Sequence, residues 1–316
     1  MKKCLVLCCS VLLLFGMMAC QSNKDDDTTT QTQSTVSADT VQKTYSVQAL
    51  SVPEMRVIQI FDLSDGWVNI YGTYNEQTGF FFVNNKGEIL NDTVYRFAYA
   101  FTDGSAYVEA AEGEWLEIDT QGAVIREYDE NPYAENTGLG RDMVVVDGEE
   151  RWFITRNDEA ITEPIFEWVT GVNDSYDTYA VLAEGDHRNV LINGNGEVTV
   201  VLPDDCTMAH RGENSIIAYY ENDAEGRCLF GLLDKDGKVL TEDRYDTLTD
   251  MSNHLAVGVK ENRLVLLSES GDEIAYFDVS LTEDVNANLT AIAFERDLIA
   301  VIGANDELVL LQLVCE

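Results

Sequence analysis

The side chains able to do chemistry are few and scattered. His187, His210 and His254 are the only histidines, and they sit at unrelated places in the sequence. No Gly-x-Ser-x-Gly, no His-Glu-x-x-His and no phosphate-cradling glycine loop occurs. Cys206, Cys228 and Cys315 form an odd set without metal-ligand spacing, so no metal is expected and at most one disulfide could form among them. Asp234-Lys-Asp-Gly237 resembles the opening of a calcium loop but lacks the later ligands, and turn chemistry accounts for it better. With 57 acids in the chain, two carboxylates at glycosidase spacing would arise by chance, so pairs such as Glu149-Glu150 and Asp204-Asp205 read as solvated faces. No catalytic residue, cofactor or metal site is assigned. Trp67, Trp168, Tyr219 and Tyr220 either line a binding face or pack between structural units.

The formal net charge is −37, and a 45% hydrophobic composition fits a globular domain with a real core. So acidic a chain disfavours nucleic acid and docking on anionic lipid through a basic face. Cations or a basic partner remain open.

The N-terminus reads as a processing segment over residues 1–20. Lys2 and Lys3 precede an apolar run, Leu5 to Phe15, too short to span a bilayer. Gly16-Met-Met-Ala-Cys20 follows, and it resembles the signal of bacterial lipoproteins, with Met17 where that family usually has leucine. The resemblance implies cleavage before Cys20 and a thioether link from Cys20 to diacylglycerol. Two acyl chains suffice for stable anchoring at the extracytoplasmic face of a bacterial cell membrane. The alternative is an ordinary signal peptide with an unconnected cysteine. Residues 21–43 hold Asp25-Asp-Asp27 and a Thr/Gln/Ser run with almost nothing apolar, the composition of a disordered tether. Asn91, Asn173 and Asn288 open formal glycosylation sequons that a bacterial lipoprotein would rarely use.

The remainder, residues 44–316, is organised around Cys228-Leu-Phe-Gly-Leu-Leu-Asp-Lys-Asp-Gly-Lys-Val-Leu240, a strand, a tight turn and a returning strand. Asp234 can cap backbone N–H groups two residues on, and Gly237 supplies the positive φ of a type I turn with a glycine bulge. Its turn-closing position recurs at Gly87, Gly122, Asp158, Gly196, Gly237 and Gly271, at spacings of 35, 36, 38, 41 and 34. A period of this size signals a propeller or solenoid. Each unit reads as an aromatic-led strand (Tyr95, Phe166, Tyr245), a strand with an internal alanine (Ala106, Ala180, Ala218, Ala256, Ala300), an apolar strand, the turn and a short last strand.

Tyr245-Asp246, Ala256-Val-Gly258, Phe230-Gly-Leu-Leu-Asp234 and Trp115-Leu-Glu-Ile-Asp119 together resemble the bacterial WG-containing repeat, in degenerate form over about residues 55–316. The Trp-Gly dipeptide never appears intact. Phe80 aligns with Phe230, and Trp152 falls one residue out of register. Leu308 to Leu313 gives a last apolar strand without a fourth, and Thr44 to Ser51 alternates like a strand belonging to no full unit. That segment is expected to complete the final sheet and remove an exposed edge. The expected fold is all-β, a seven-bladed β-propeller of short four-stranded antiparallel blades, with an open β-solenoid as the alternative. The expected function is non-enzymatic binding of a protein or glycan by a lipid-anchored envelope protein. The alternative is a glycan-processing enzyme or solute-binding lipoprotein.

Overall fold

A computed structural model describes residues 43–132, 138–172, 177–183, 187–220, 228–242, 244–282 and 291–316. The leader, Cys20, almost all of the tether, Asn173 and Asn288 lie outside the described residues. Within them the chain is all-β, with 25 strands and one short 3-10 turn at Leu90–Asp92. No helix among the described residues is long and apolar enough to cross a membrane.

The strands form small antiparallel sheets that follow chain order. The first holds Arg56–Ser64, Trp67–Tyr74 and Gln77–Asn84, and the second Phe97–Ala98, Ser105–Ala111, Glu114–Asp119 and Val124–Tyr128. A seven-stranded sheet follows, running from Leu139–Val146 to Val198–Val201. It consists of two of the expected units joined through the single pair Trp152↔Phe166. Cys206–Arg211, Ile216–Tyr220 and Leu229–Leu233 make the next sheet, then Thr247–Leu248 to Glu273–Phe277 the one after. The last combines Ile292–Glu295, Leu298–Ile302 and Leu308–Cys315 with the N-terminal strand Tyr45–Ala49. Four strands per sheet is therefore not the rule. In the first and fourth sheets the short last strand is reduced to one bridge, Val83↔Ile89 and Leu233↔Val239.

The turn chemistry is as the sequence predicts at five places. Asn84, Asp119, Asn193 and Asp234 each accept, through the side-chain oxygen, backbone N–H groups two and four residues on. Ser268 accepts the Asp272 N–H in the same way. The closing glycines, such as Gly237 at φ 85°, are left-handed, a conformation that penalises any Cβ. Asn157-Asp158 is different. It is a two-residue turn with φ of 52° and 65° at its two centres, the pattern of a type I′ hairpin. Aligning Asp158 with the glycines therefore misplaces the strand by one residue. Trp152 pairs with Phe166 as Phe80 pairs with Tyr95 and Phe230 with Tyr245, so Trp152 is in register after all.

Those pairs also correct the role of the leading aromatics. Tyr95 and Phe80 exchange both backbone hydrogen bonds, at 2.7 and 2.8 Å, and Tyr245 and Phe230 do so at 2.9 and 2.8 Å. Tyr95, Phe166 and Tyr245 thus lie against the preceding unit before the chain enters the next, and all three are buried. Gly79 permits the approach, since a Cβ there would lie 2.4 Å from the Tyr95 carbonyl oxygen.

The N-terminal strand pairs with the last one from Tyr45↔Cys315 to Ala49↔Leu311. Val57, Ile60 and Leu63 of the first sheet share one apolar cluster with Ile292, Phe294 and Ile299 of the last. The Val57 N–H donates to the Asp306 carbonyl at 2.6 Å, and the Gly66 N–H to Glu295 Oε2 at 2.8 Å.

Candidate functional site

The histidines are not brought together. His187 Nδ1 lies 2.6 Å from Glu167, and His254 Nδ1 lies 2.7 Å from Glu269. His210 is exposed on Cys206–Arg211, where it pairs with Ile217. Cys206, Cys228 and Cys315 are all free thiols. Of the four aromatics singled out in the sequence, Trp67 packs on Phe101 with ring centroids 5.5 Å apart, and Tyr219 on Phe230 at 4.9 Å. Tyr220 is buried, and Trp168 is 46% exposed. Packing therefore accounts for three of them and leaves Trp168 as a surface residue.

Trp168 belongs to a surface that the sequence did not reveal. Leu139–Val146 and Glu149–Arg156 form a hairpin about Asp147-Gly148, whose φ values are 54° and 89°. Met143, Val144, Val145 and Val146 are all exposed, Val145 to 61%. Side chains alternate between the two faces of a strand, so exposure of all four means that neither face is covered along this stretch. The corresponding alanine-bearing strands Ile216–Tyr220 and Leu298–Ile302 are buried throughout. The hairpin is anchored at its other end, where Leu139, Ile154 and Trp152 pack with Phe166 and Val169. Arg141 lies between two indoles, its guanidinium carbon 4.9 Å from the Trp152 ring and 5.0 Å from the Trp168 ring. The rings meet edge to face at 5.5 Å. Arg141 Nη1 is enclosed and has no hydrogen-bond acceptor among the described residues. Stacking of this kind stabilises a guanidinium by about 0.5–2 kcal/mol, but leaves its donors unused.

A second feature is a cleft of about 640 Å³ between Tyr179 and Asn189 on one side and Asp205, Cys206, Tyr220 and Arg244 on the other. The Arg244 guanidinium carbon sits 3.5 Å from the Tyr220 ring centroid, and Arg244 reaches Asp205 at 3.4 Å. Gly231 gives them room, since a Cβ there would lie 2.8 Å from the Tyr220 ring. Burial, with a smaller contribution from Cys206, pushes the Tyr179 hydroxyl up to about 12, and burial pushes the Cys206 thiol up to about 11. At neutral pH Cys206 is thus a thiol and a poor nucleophile. Elsewhere, at the junction of the first and last sheets, burial raises the Asp62 carboxyl, the Leu63 N–H lowers it, and the charge of Glu295 raises it further.

No protein-family model and no curated protein matches the chain. Among solved structures it is similar to BamB from Moraxella catarrhalis, at 14% identity over 85% of this chain and 97% of that one, with a TM-score of 0.33. It is also similar to KlHsv2 with loop 6CD replaced by a Gly-Ser linker, at 10% identity over 80% and 90%, TM-score 0.42. A third similarity is to the AfRom2 CNH domain, at 10% identity over 84% and 98%, TM-score 0.34.

Proposed function

We propose that the protein is a non-enzymatic binding protein of the bacterial envelope, a seven-bladed β-propeller of degenerate WG-like repeats held at the extracytoplasmic membrane face by a lipid on Cys20. Counting the seven-stranded sheet as two units gives seven, and the pairing of Tyr45–Ala49 with Leu311–Cys315 supports a closed ring. Interaction is favoured by one observation above others: the exposed apolar tip Met143–Val146 beside the Trp152–Arg141–Trp168 stack. Exposed methionine, valine and tryptophan around a stacked arginine have the composition of an interface core. A rigid scaffold, no cofactor and a partner protein complete the reading. Fractionation of cells expressing the Cys20→Ala variant tests the anchor. The variant is expected to be soluble or uncleaved, and a matured variant that still partitions with membranes would sink the assignment.

A second reading, a solute-binding or glycan-processing lipoprotein, draws on the Arg244 cleft, where the buried Tyr220 hydroxyl has no partner among the described residues. Titration of the full chain with envelope glycan fragments, followed by tyrosine and tryptophan fluorescence, separates the two. A saturable response abolished in Arg244→Ala would favour the second.

A further inference from the structure

We infer that residues 44–50 form a releasable strap: it leaves the last sheet as one unit while that sheet stays folded, and the edge so bared on Leu308–Cys315 takes up an identical strand from a second copy. The inference stands whether or not the tether carries a lipid. Its basis is a mismatch between hydrogen bonding and burial. The strap is well bonded. Thr44 and Glu316 exchange both backbone bonds, and the Leu50 N–H donates to the Leu310 carbonyl. Alternation aims the N–H groups of Ser46 and Gln48 at Val314 and Gln312. Yet no residue of the strap is buried. Thr44, Ser46, Gln48 and Ala49 are exposed, and Tyr45, Val47 and Leu50 are half-buried where they rest on the shared apolar cluster. Leu298–Ile302, on the other side of Leu308–Cys315, is buried at all five positions. One edge of the same strand is thus held by bonds and packing together, the other mainly by bonds. Water replaces most of a backbone bond when a strand opens, but it does not replace buried apolar contact, so the strap side opens first.

Register separates the two sides. Leu298–Ile302 pairs with Leu308 to Gln312, and the strap's Tyr45–Ala49 with Leu311 to Cys315. The Leu313 N–H donates to the Asp297 carbonyl at 2.6 Å. By alternation the amides of Val309 and Leu311 face that side too, and those of Gln312 and Val314 face the strap. Release therefore frees one set of amides and leaves the other bonded. The strap also has defined ends. Beyond Leu50, the Ser51 carbonyl oxygen lies where a Cβ on Gly87 would stand, and Met55 is buried, so the chain rejoins the body of the first sheet there. At the other end, Thr44 and Glu316 are both exposed. The bared edge would carry Leu311 and Leu313, which are 3% and 7% exposed with the strap in place. A bare apolar edge invites pairing, and the strand that matches its register is the strap's own sequence. Exchange of an identical element between copies costs little because each copy already holds the complementary edge.

Hydrogen exchange on the full chain in detergent is the first test. The amides of Ser46, Gln48, Leu50, Gln312 and Val314 are expected to exchange as one group, on the order of a hundredfold faster than those of Val309 and Leu311. A lock supplies the control. Tyr45 stands opposite Cys315, a free and exposed thiol. The bonded pairs on either side make theirs a non-bonded pair, with Cα atoms about 4.5 Å apart, a separation that suits a disulfide. In Tyr45→Cys, diamide should close the bridge to Cys315 and slow the whole group, and dithiothreitol should restore fast exchange. Val309 and Leu311 should not respond. The second test is a synthetic peptide of residues 44–51, standing for the strap of a second copy. The strap acts on its own edge at an effective concentration of about millimolar, so the wild-type chain should take up peptide only near that level. Gln48→Pro weakens the strap, and that chain should take up peptide at concentrations roughly tenfold lower or more. The same peptide with proline in place of Gln48 should not enter, nor should any peptide enter the oxidised Tyr45→Cys chain. Strap amides that exchange no faster than Val309 and Leu311, or that ignore the lock, would overturn the proposal. So would equal peptide uptake by the locked and the reduced chain, a comparison that decides the matter even if Gln48→Pro does not fold.

Discussion

Two proline substitutions at adjacent exposed residues of the N-terminal strand should differ sharply in cost. Thr44 and Glu316 exchange both backbone hydrogen bonds, and the Leu50 N–H donates to the Leu310 carbonyl at 2.8 Å. Within Tyr45–Ala49, alternation then directs the N–H groups of Ser46 and Gln48 at Val314 and Gln312, and those of Tyr45, Val47 and Ala49 outward. Gln48 and Ala49 both have exposed side chains, so packing does not separate them. Gln48→Pro deletes a ladder donor and strands the Gln312 carbonyl. A lost bond costs about 1 kcal/mol, and the abandoned acceptor with local distortion adds a similar amount, so about 2–3 kcal/mol is expected. Ala49→Pro deletes an N–H that has no ladder partner among the described residues and should stay within about 1 kcal/mol of wild type. Urea unfolding followed by tryptophan fluorescence reads both. Equal midpoints for the two variants, or a larger loss for Ala49→Pro, would refute the register and with it the clasp between the chain's two ends.

Two more outcomes follow from the titratable groups. Cys206 is buried with its thiol pushed up to about 11, whereas Cys315 is exposed; iodoacetamide at neutral pH should therefore label Cys315 well before Cys206, as peptide mass mapping would show. Burial alone would raise the Glu273 carboxyl, but hydrogen bonds from Lys260 at 2.8 Å, from Tyr276, and from Tyr245 at 2.9 Å outweigh it and hold Glu273 below the usual carboxylate range. A carboxyl depressed in the folded state stabilises above its unfolded pKa, and that contribution is lost as pH falls through the folded value. Lys260→Met should flatten this acid limb in urea midpoints taken across the carboxylate range, and an unchanged slope would count against the Lys260–Glu273 pairing.

The turns were legible because they are made locally. Asp234 and Gly237 carry their own geometry, and so do the other glycine turns, hence the period could be read without any tertiary contact. The strand supplied by Thr44 to Ser51 was legible as a remainder, an alternating segment with no unit of its own. The Asn157-Asp158 turn misled the register because a two-residue hairpin and a longer glycine turn close at different offsets, and only the φ values distinguish them. The leading aromatics were legible as a pattern but not as a contact, since Tyr95 and Tyr245 bond to the unit behind them. Least legible was the apolar edge. Met143-Val-Val-Val146 has the composition of a core strand, and nothing local says that its side chains are exposed. Trp168 was noticed, but Arg141, which joins it to Trp152, reads in sequence as one more surface charge.

The handover at Tyr95, Phe166 and Tyr245 means that the repeat counted along the chain and the sheet that stands as a body in space begin at different residues. A cut at Gly87 or Gly237 would leave one fragment without its closing aromatic and burden the next with a stray one. Neighbouring repeats are therefore dovetailed rather than stacked, and removal of one should loosen the molecule as a whole instead of shortening it by a single tile.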